Sequence, residues 1–279
     1  MQDPSAVESH DFLAIPLKQI PAGNQIEYVS ALAFKLSQSR SLCSQRLAEQ
    51  IQAHLDAQTQ TVVIDTPPER IWQHFSISIV TPGWIHLRLT DSGLAEWLQW
   101  ALDFPWQSTQ PTDICSVTSV GADAHRSAIA FDICHAYARC NSLLHLGREG
   151  KLIQFQVEPD QPEALIHFSQ PIPWLDNKQT FVAQHPQEWA LIRQLSEAID
   201  ALAIPAPKTA SSQADRLTLK RTHHLSQTFQ HFHAACRIWG MDTQNPSLAQ
   251  VRLGLVLLTQ RVLRALIETR LQWVAPSRL

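Results

Sequence analysis

Residues 223–279, HHLSQTFQHFHAACRIWGMDTQNPSLAQVRLGLVLLTQRVLRALIETRLQWVAPSRL, decide how the rest of the chain is read. Leu225, Phe229, Phe232 and Cys236 recur every three or four residues, and so do Leu253, Val256, Leu257, Val262, Leu263 and Leu266. That period gathers each series on one face of a helix, so two amphipathic helices are predicted. Between them Asn245-Pro246-Ser247 supplies a break and a restart, because proline fixes φ and suits the first turn of a new helix. From Arg216 onward nine Lys or Arg stand against two acidic residues, a net charge of +7. A basic helical hairpin thus ends a chain whose formal charge is −3.

The 279 residues suffice for about two domains. A hydrophobic content of 44% with 17% charged residues is that of a globular protein and excludes a disordered or coiled-coil chain. Residues 1–122 carry a net −6 and residues 123–279 a net +3, so a polyanion is expected to meet the second half. The five cysteines, Cys43, Cys115, Cys134, Cys140 and Cys236, form no CxxC pair and no metal-ligand spacing. They read as reduced thiols, most of them small core side chains. The start, MQDPSAVESHDF, lacks the basic end and apolar run of a secretory signal, and no segment reaches the roughly 18 apolar residues of a membrane span. A cytoplasmic protein without membrane contact is expected.

Along the chain, residues 28–38, 42–55 and 94–102 have helical spacing, while 61–65, 76–80 and 84–89 read as short strands. The fold class expected is α+β: a small N-terminal α+β domain with an antiparallel sheet (11–103), a Pro/Ser/Thr-rich linker (104–122) and an all-α bundle (123–279). Within the bundle, 126–146 and 189–202 are further helices. Residues 152–157 and 164–168, split by the turn-rich EPDQPE, suggest an inserted β-hairpin.

Several of these segments resemble arginyl-tRNA synthetases. LSQTFQHFHAACR (225–237) resembles a helix of their anticodon-binding domain, LAQVRLGLV (248–256) the segment that gives the DALR domain its name, and the ending APSRL their Ala-Pro-Glu-Arg-Met. AYARCNSLL (136–144), which contains Arg139, is similar to the first helix of that domain. In the first half, IEYVSALAFKLS (26–37), LAEQIQAHL (47–55) and PGWIHLRL (82–89) follow, in order, three motifs of the family's N-terminal tRNA-recognition domain. There the resemblance implies that the aromatic after Pro-Gly and the polar residue two further on, here Trp84 and His86, recognise a base of the tRNA D-loop. His86 departs from the family's Asn. In the helical domain the residues taken as RNA contacts are Arg139, Lys220, Arg221, Arg237, Arg252, Arg261 and Arg264.

The family's catalytic domain lies between these two modules, and here only residues 104–122 separate them, whereas a nucleotide-binding domain needs on the order of 100–200 residues. No His-x-Gly-His pair, KMSK-like loop, Walker loop or GxGxxG occurs. The resemblance therefore implies a non-catalytic protein that needs no cofactor, binds tRNA at the D-loop side and the anticodon stem, and leaves DNA alone. The alternative is a scaffold that kept the fold, gave up RNA and binds protein through Trp-rich patches or the 152–168 insertion. His223-His224 and His231-x-His233 do not have the three- or four-residue spacing of zinc ligands on one helix face. Trp84 has two readings, a base-stacking surface or a plug of the small domain's core.

Overall fold

The structure is a computed structural model that describes residues 15–21, 23–40, 42–61, 66–106, 124–153, 155–156, 167–168, 171–203, 212–240 and 245–275. Two compact units divide the chain, Met1–Trp97 and Leu98–Leu279. Most of the expected linker, 107–122, lies outside the described residues, as do 62–65 of the expected strand 61–65.

In the first unit, β1 (Leu17–Pro21), β2 (Ile26–Ser30), β3 (Phe75–Val80) and β4 (Trp84–Leu89) form an antiparallel sheet in the order β1-β2-β4-β3. Successive strand residues point to opposite faces. Ile85 of β4 meets Ala33 of α1 (Leu32–Arg40) and Leu47 and Ala48 of α2 (Ser44–Thr61), with Ile77 and Ile79 packed beside them. The opposite face carries Trp84, His86 and Arg88 of β4. Residues 28–30, expected to open a helix, instead belong to β2, which is bonded to β1 on one side and β4 on the other. The helix starts only after this ladder, where the Ser30 hydroxyl accepts the Leu32 N–H at 3.2 Å. A third helix, α3 (Pro67–Gln73), was not among those expected: it starts at Thr66-Pro67-Pro68-Glu69, where Glu69 reaches back to the Thr66 N–H at 2.9 Å and Pro67 stands where no N–H is needed. At the turn into β4, Gly83 has φ +137, and a Cβ there would lie 2.8 Å from the Ser44 backbone, so only glycine lets the turn close on α2.

α4 (Asp91–Asp103) ends in the second unit. That unit is built on α5 (Ala124–Glu149), α6 (Pro186–Ala203), α7 (Ser212–Ala235) and α8 (Pro246–Ala265), the last running on into a π-helical turn, Leu266–Arg270. Asn245 caps α8 by accepting the Leu248 N–H at 3.0 Å, with Pro246 in the first turn. All ten apolar positions of the two series in 223–279 are buried. α8, however, is not the amphipathic helix expected: it packs against α5, α6 and α7, and every residue from Val251 to Leu263 is buried. Gly254 makes this possible, since a Cβ there would come within 2.8 Å of the Trp174 ring. Trp174 is itself buried and directs its Nε1–H to Gln99 Oε1 at 3.3 Å. The expected hairpin is present as a two-residue antiparallel ladder, β5 (Phe155–Gln156) with β6 (His167–Phe168), and the residues 157–166 between them lie outside the described residues.

Candidate nucleic-acid interface

The second unit offers its cations on α5 and α7. Phe131, His135, Arg139, Ser142 and Leu146 follow one another at three- and four-residue steps and form the exposed stripe of α5. Phe131 is 58% exposed, and the His135 ring stacks on it with centroids 6.0 Å apart and planes 18° apart. Alongside runs α7. His223 Nε2 meets Asp132 Oδ2 at 3.1 Å, and ten residues on, His233 feels the charge of Arg139. The two pairs advance together along both helices, so α5 and α7 run in the same direction. Lys220, His224, Gln227 and His231 share one exposed face of α7; Arg221 is exposed a quarter turn away, and Arg237 just past the helix end. From Lys220 to Arg237 the strip is about 25 Å long at 1.5 Å per residue. Burial first, and then the Arg139 charge, lower the His233 imidazole below its usual value.

The arginines of α8 are placed differently, and the expectation for them is corrected. Arg252 is 8% exposed, and its Nε donates to Glu188 Oε1 at 2.6 Å, while Nη1 donates to the Arg237 carbonyl. Glu188 is wholly buried, and its other oxygen accepts the His185 N–H at 2.8 Å. Arg261 is also buried, and burial lowers its guanidinium while Asp103 opposes that shift. Arg264 is half-buried and pairs with Glu268 at 3.0 Å. A buried guanidinium bonded to a carboxylate cannot be offered to a phosphate without leaving that carboxylate unpaired. Phe131 and His135 were not among the expected contacts, although Phe131, His135 and Arg139 follow one another at four-residue steps in the sequence.

In the first unit the face of the sheet opposite the packed helices is a separate candidate. The ladder registers place Lys18, Val29, His86 and Ser78 in one row across the four strands, with Ala31, Trp84 and Val80 in the next. Lys18, Ile20, Val29, Ala31, Trp84 and His86 line an open pocket of about 550 Å³. Trp84 is 40% exposed, with the Phe34 ring leaning on it at 4.9 Å, and it is not part of the core formed around Ile85. His86 Nδ1 lies 2.6 Å from Glu27 Oε1.

Cys236 Sγ sits 3.4 Å from His185 Nδ1, but burial and then the Glu188 charge push the thiol up to about 11, the opposite of what a nucleophile needs. Burial also raises Cys134 and Cys140. Among the described residues no group of three or more His, Cys, Asp or Glu is placed to hold a metal ion, and no helix is long and apolar enough to cross a membrane. Of the nine tryptophans Trp84 is exposed, Trp72, Trp97, Trp100, Trp106 and Trp239 are half-buried, and Trp174, Trp189 and Trp273 are core residues; Trp100 and Trp106 flank the exposed Phe104 with ring centroids 5.3 and 4.9 Å away.

The class defined by this geometry is a small α+β unit followed by a helical bundle with a cationic and aromatic strip on two parallel helices. Residues 133–269 of the bundle match the model of the DALR anticodon binding domain, a domain that binds the tRNA anticodon in aminoacyl-tRNA synthetases. The match begins inside α5 and ends in the π-helical turn, so it takes in the whole strip from His135 onward. No curated protein and no solved structure matches the chain.

Proposed function

We propose that this chain is a non-catalytic relative of arginyl-tRNA synthetases that binds tRNA. The observation that carries the reading is the DALR domain with an exposed strip, Phe131, His135, Arg139, Lys220, Arg221 and Arg237, on its α5 and α7 helices. Guanidinium and ammonium groups along a helix follow a phosphate backbone, and an exposed aromatic pair gives unstacked loop bases a surface to stack on. The anticodon stem-loop goes to this strip. The D-loop side goes to the first unit's open sheet face, with Trp84 stacking on a base and His86 bonding its edge. The arginyl relationship rests on the sequence motifs at 26–37, 47–55, 82–89, 136–144 and 225–237, and the lack of catalysis on the short span between the two modules.

Retention of unfractionated tRNA at two salt concentrations, by the full chain and by a variant with Arg139, Lys220, Arg221 and Arg237 all changed to Gln, tests the reading. Salt-sensitive binding that the variant loses is expected. Undiminished binding by the folded variant would overturn the strip. Arginine, ATP and tRNA should give no turnover above a buffer control. A protein-interaction role becomes the better reading if no tRNA is retained at either salt.

A further inference from the structure

The open sheet face also holds a carboxylate to which the reading above gives no part. Glu27 on β2 is only 6% exposed although it lies on the helix-free face, in the strand row next to His86. Its two oxygens are engaged by His86 Nδ1 at 2.6 Å and by Arg88 Nη2 at 3.6 Å. An ionised carboxylate can only accept, so the ring nitrogen facing it carries the proton. In a neutral imidazole the other nitrogen is then an acceptor, fixed by the bond the first one makes. Nε2 of His86 is the nitrogen left for a ligand in the pocket beside Trp84.

Lys18 stands in the same row as His86, two strand spacings or about 10 Å away, with the apolar Val29 between them. An aromatic face, an acceptor and an ammonium group separated by an apolar floor match one nucleotide laid across the strands: base, edge and phosphate. We infer that Glu27 is a positioning residue that makes His86 an acceptor at Nε2. The pocket then takes a nucleotide that stacks on Trp84, turns an N–H of its base toward His86 and brings its phosphate to Lys18. This rests on the assignment of Trp84 and His86 to RNA made above and adds the direction of the hydrogen bond and the phosphate contact.

The test uses the full chain at pH 8, above the ordinary imidazole value of about 6.5. Nitrogen-15 shifts of the His86 ring, assigned with His86→Gln, read its tautomer. Binding is measured for the four nucleoside 5′-monophosphates, for the tightest one lacking its phosphate, for the same one methylated on its base N–H, and for unfractionated tRNA. The Nδ1–H tautomer is expected, with binding weakened about tenfold by methylation, as for loss of one hydrogen bond of about 1.4 kcal/mol. Glu27→Gln should mix the tautomers and erase the preference for the unmethylated base, and Lys18→Gln should erase the preference for the phosphate. The Nε2–H tautomer, an imidazolium, or equal binding of the methylated nucleotide in the wild-type chain would overturn the inference without any variant having to fold. If tRNA is retained through the α5 and α7 strip while no mononucleotide binds and Trp84→Ala changes nothing, the pocket fails and the tRNA reading stands. If mononucleotides bind as described but tRNA is not retained, the pocket stands with a free nucleotide as its source, and the tRNA reading fails.

Discussion

α8 and the α5–α7 pair carry the same kind of side chain to opposite ends. Arg252 and Arg261 stand on a helix enclosed by three others, and Arg252 is spent on a buried carboxylate. Arg139, Lys220, Arg221 and Arg237 belong to the same bundle and remain exposed. The difference teaches that the +7 of the last 64 residues is not all surface charge: a cation enters the core when a buried acceptor is waiting, as Glu188, with its capping role on α6, is for Arg252. The exposed cationic surface is correspondingly smaller and lies on helices that the count of charges did not single out.

The largest effect that could break this contrast is Arg252→Gln. It should destabilise the protein by about 3–5 kcal/mol because Glu188 is left buried and unpaired. Changing Arg252 to Met together with Glu188 to Leu should recover most of the loss in a denaturant titration. A stable single variant with weakened tRNA binding would put Arg252 on the surface. Next in size is the strip. Each neutralised member that contacts a phosphate should reduce the logarithmic salt slope of tRNA binding by about 0.7–0.9 with the melting temperature unchanged, while Arg252→Gln should leave the slope of the folded fraction as it was.

Trp84→Ala should cost about 1–3 kcal/mol of tRNA binding through lost stacking. A core tryptophan would instead cost about 3–5 kcal/mol of stability, and melting and binding measured on one sample separate the two. The smallest effect is set by pH. The folded state favours neutral His233, so the unfolded chain binds more protons below the ordinary imidazole value; this contribution to stability is full above about 6.5 and is lost as pH falls toward the lowered folded value. His233→Gln should flatten that part of the stability profile, and Arg139→Gln should flatten it in part. A profile identical in the wild type and both variants would remove the influence of the Arg139 charge on His233.

Much of the first unit was written in alternation and turn chemistry. β3 and β4 fell where 76–80 and 84–89 alternate, whereas Tyr28 to Ser30 had helical spacing and became strand because two neighbouring strands supply their hydrogen bonds. In the second unit the periodic apolar series located α7 and α8, and the motifs quoted from 136–144, 225–237 and 248–256 fall within the DALR match. Phe131 and His135 went unread because an exposed aromatic and a buried one have the same letter.

The sequence alone therefore located most of the helices and the segments that resemble an anticodon-binding domain, because period, capping residues and proline act over a few neighbouring positions. Only the tertiary structure decided which cations face water, which tryptophan is exposed and which nitrogen of His86 is taken. Each of those depends on a partner brought from far along the chain: Glu188 to Arg252, Asp132 to His223, Glu27 to His86. Burial and pairing are properties of such long-range neighbours, and no local pattern of residues encodes them.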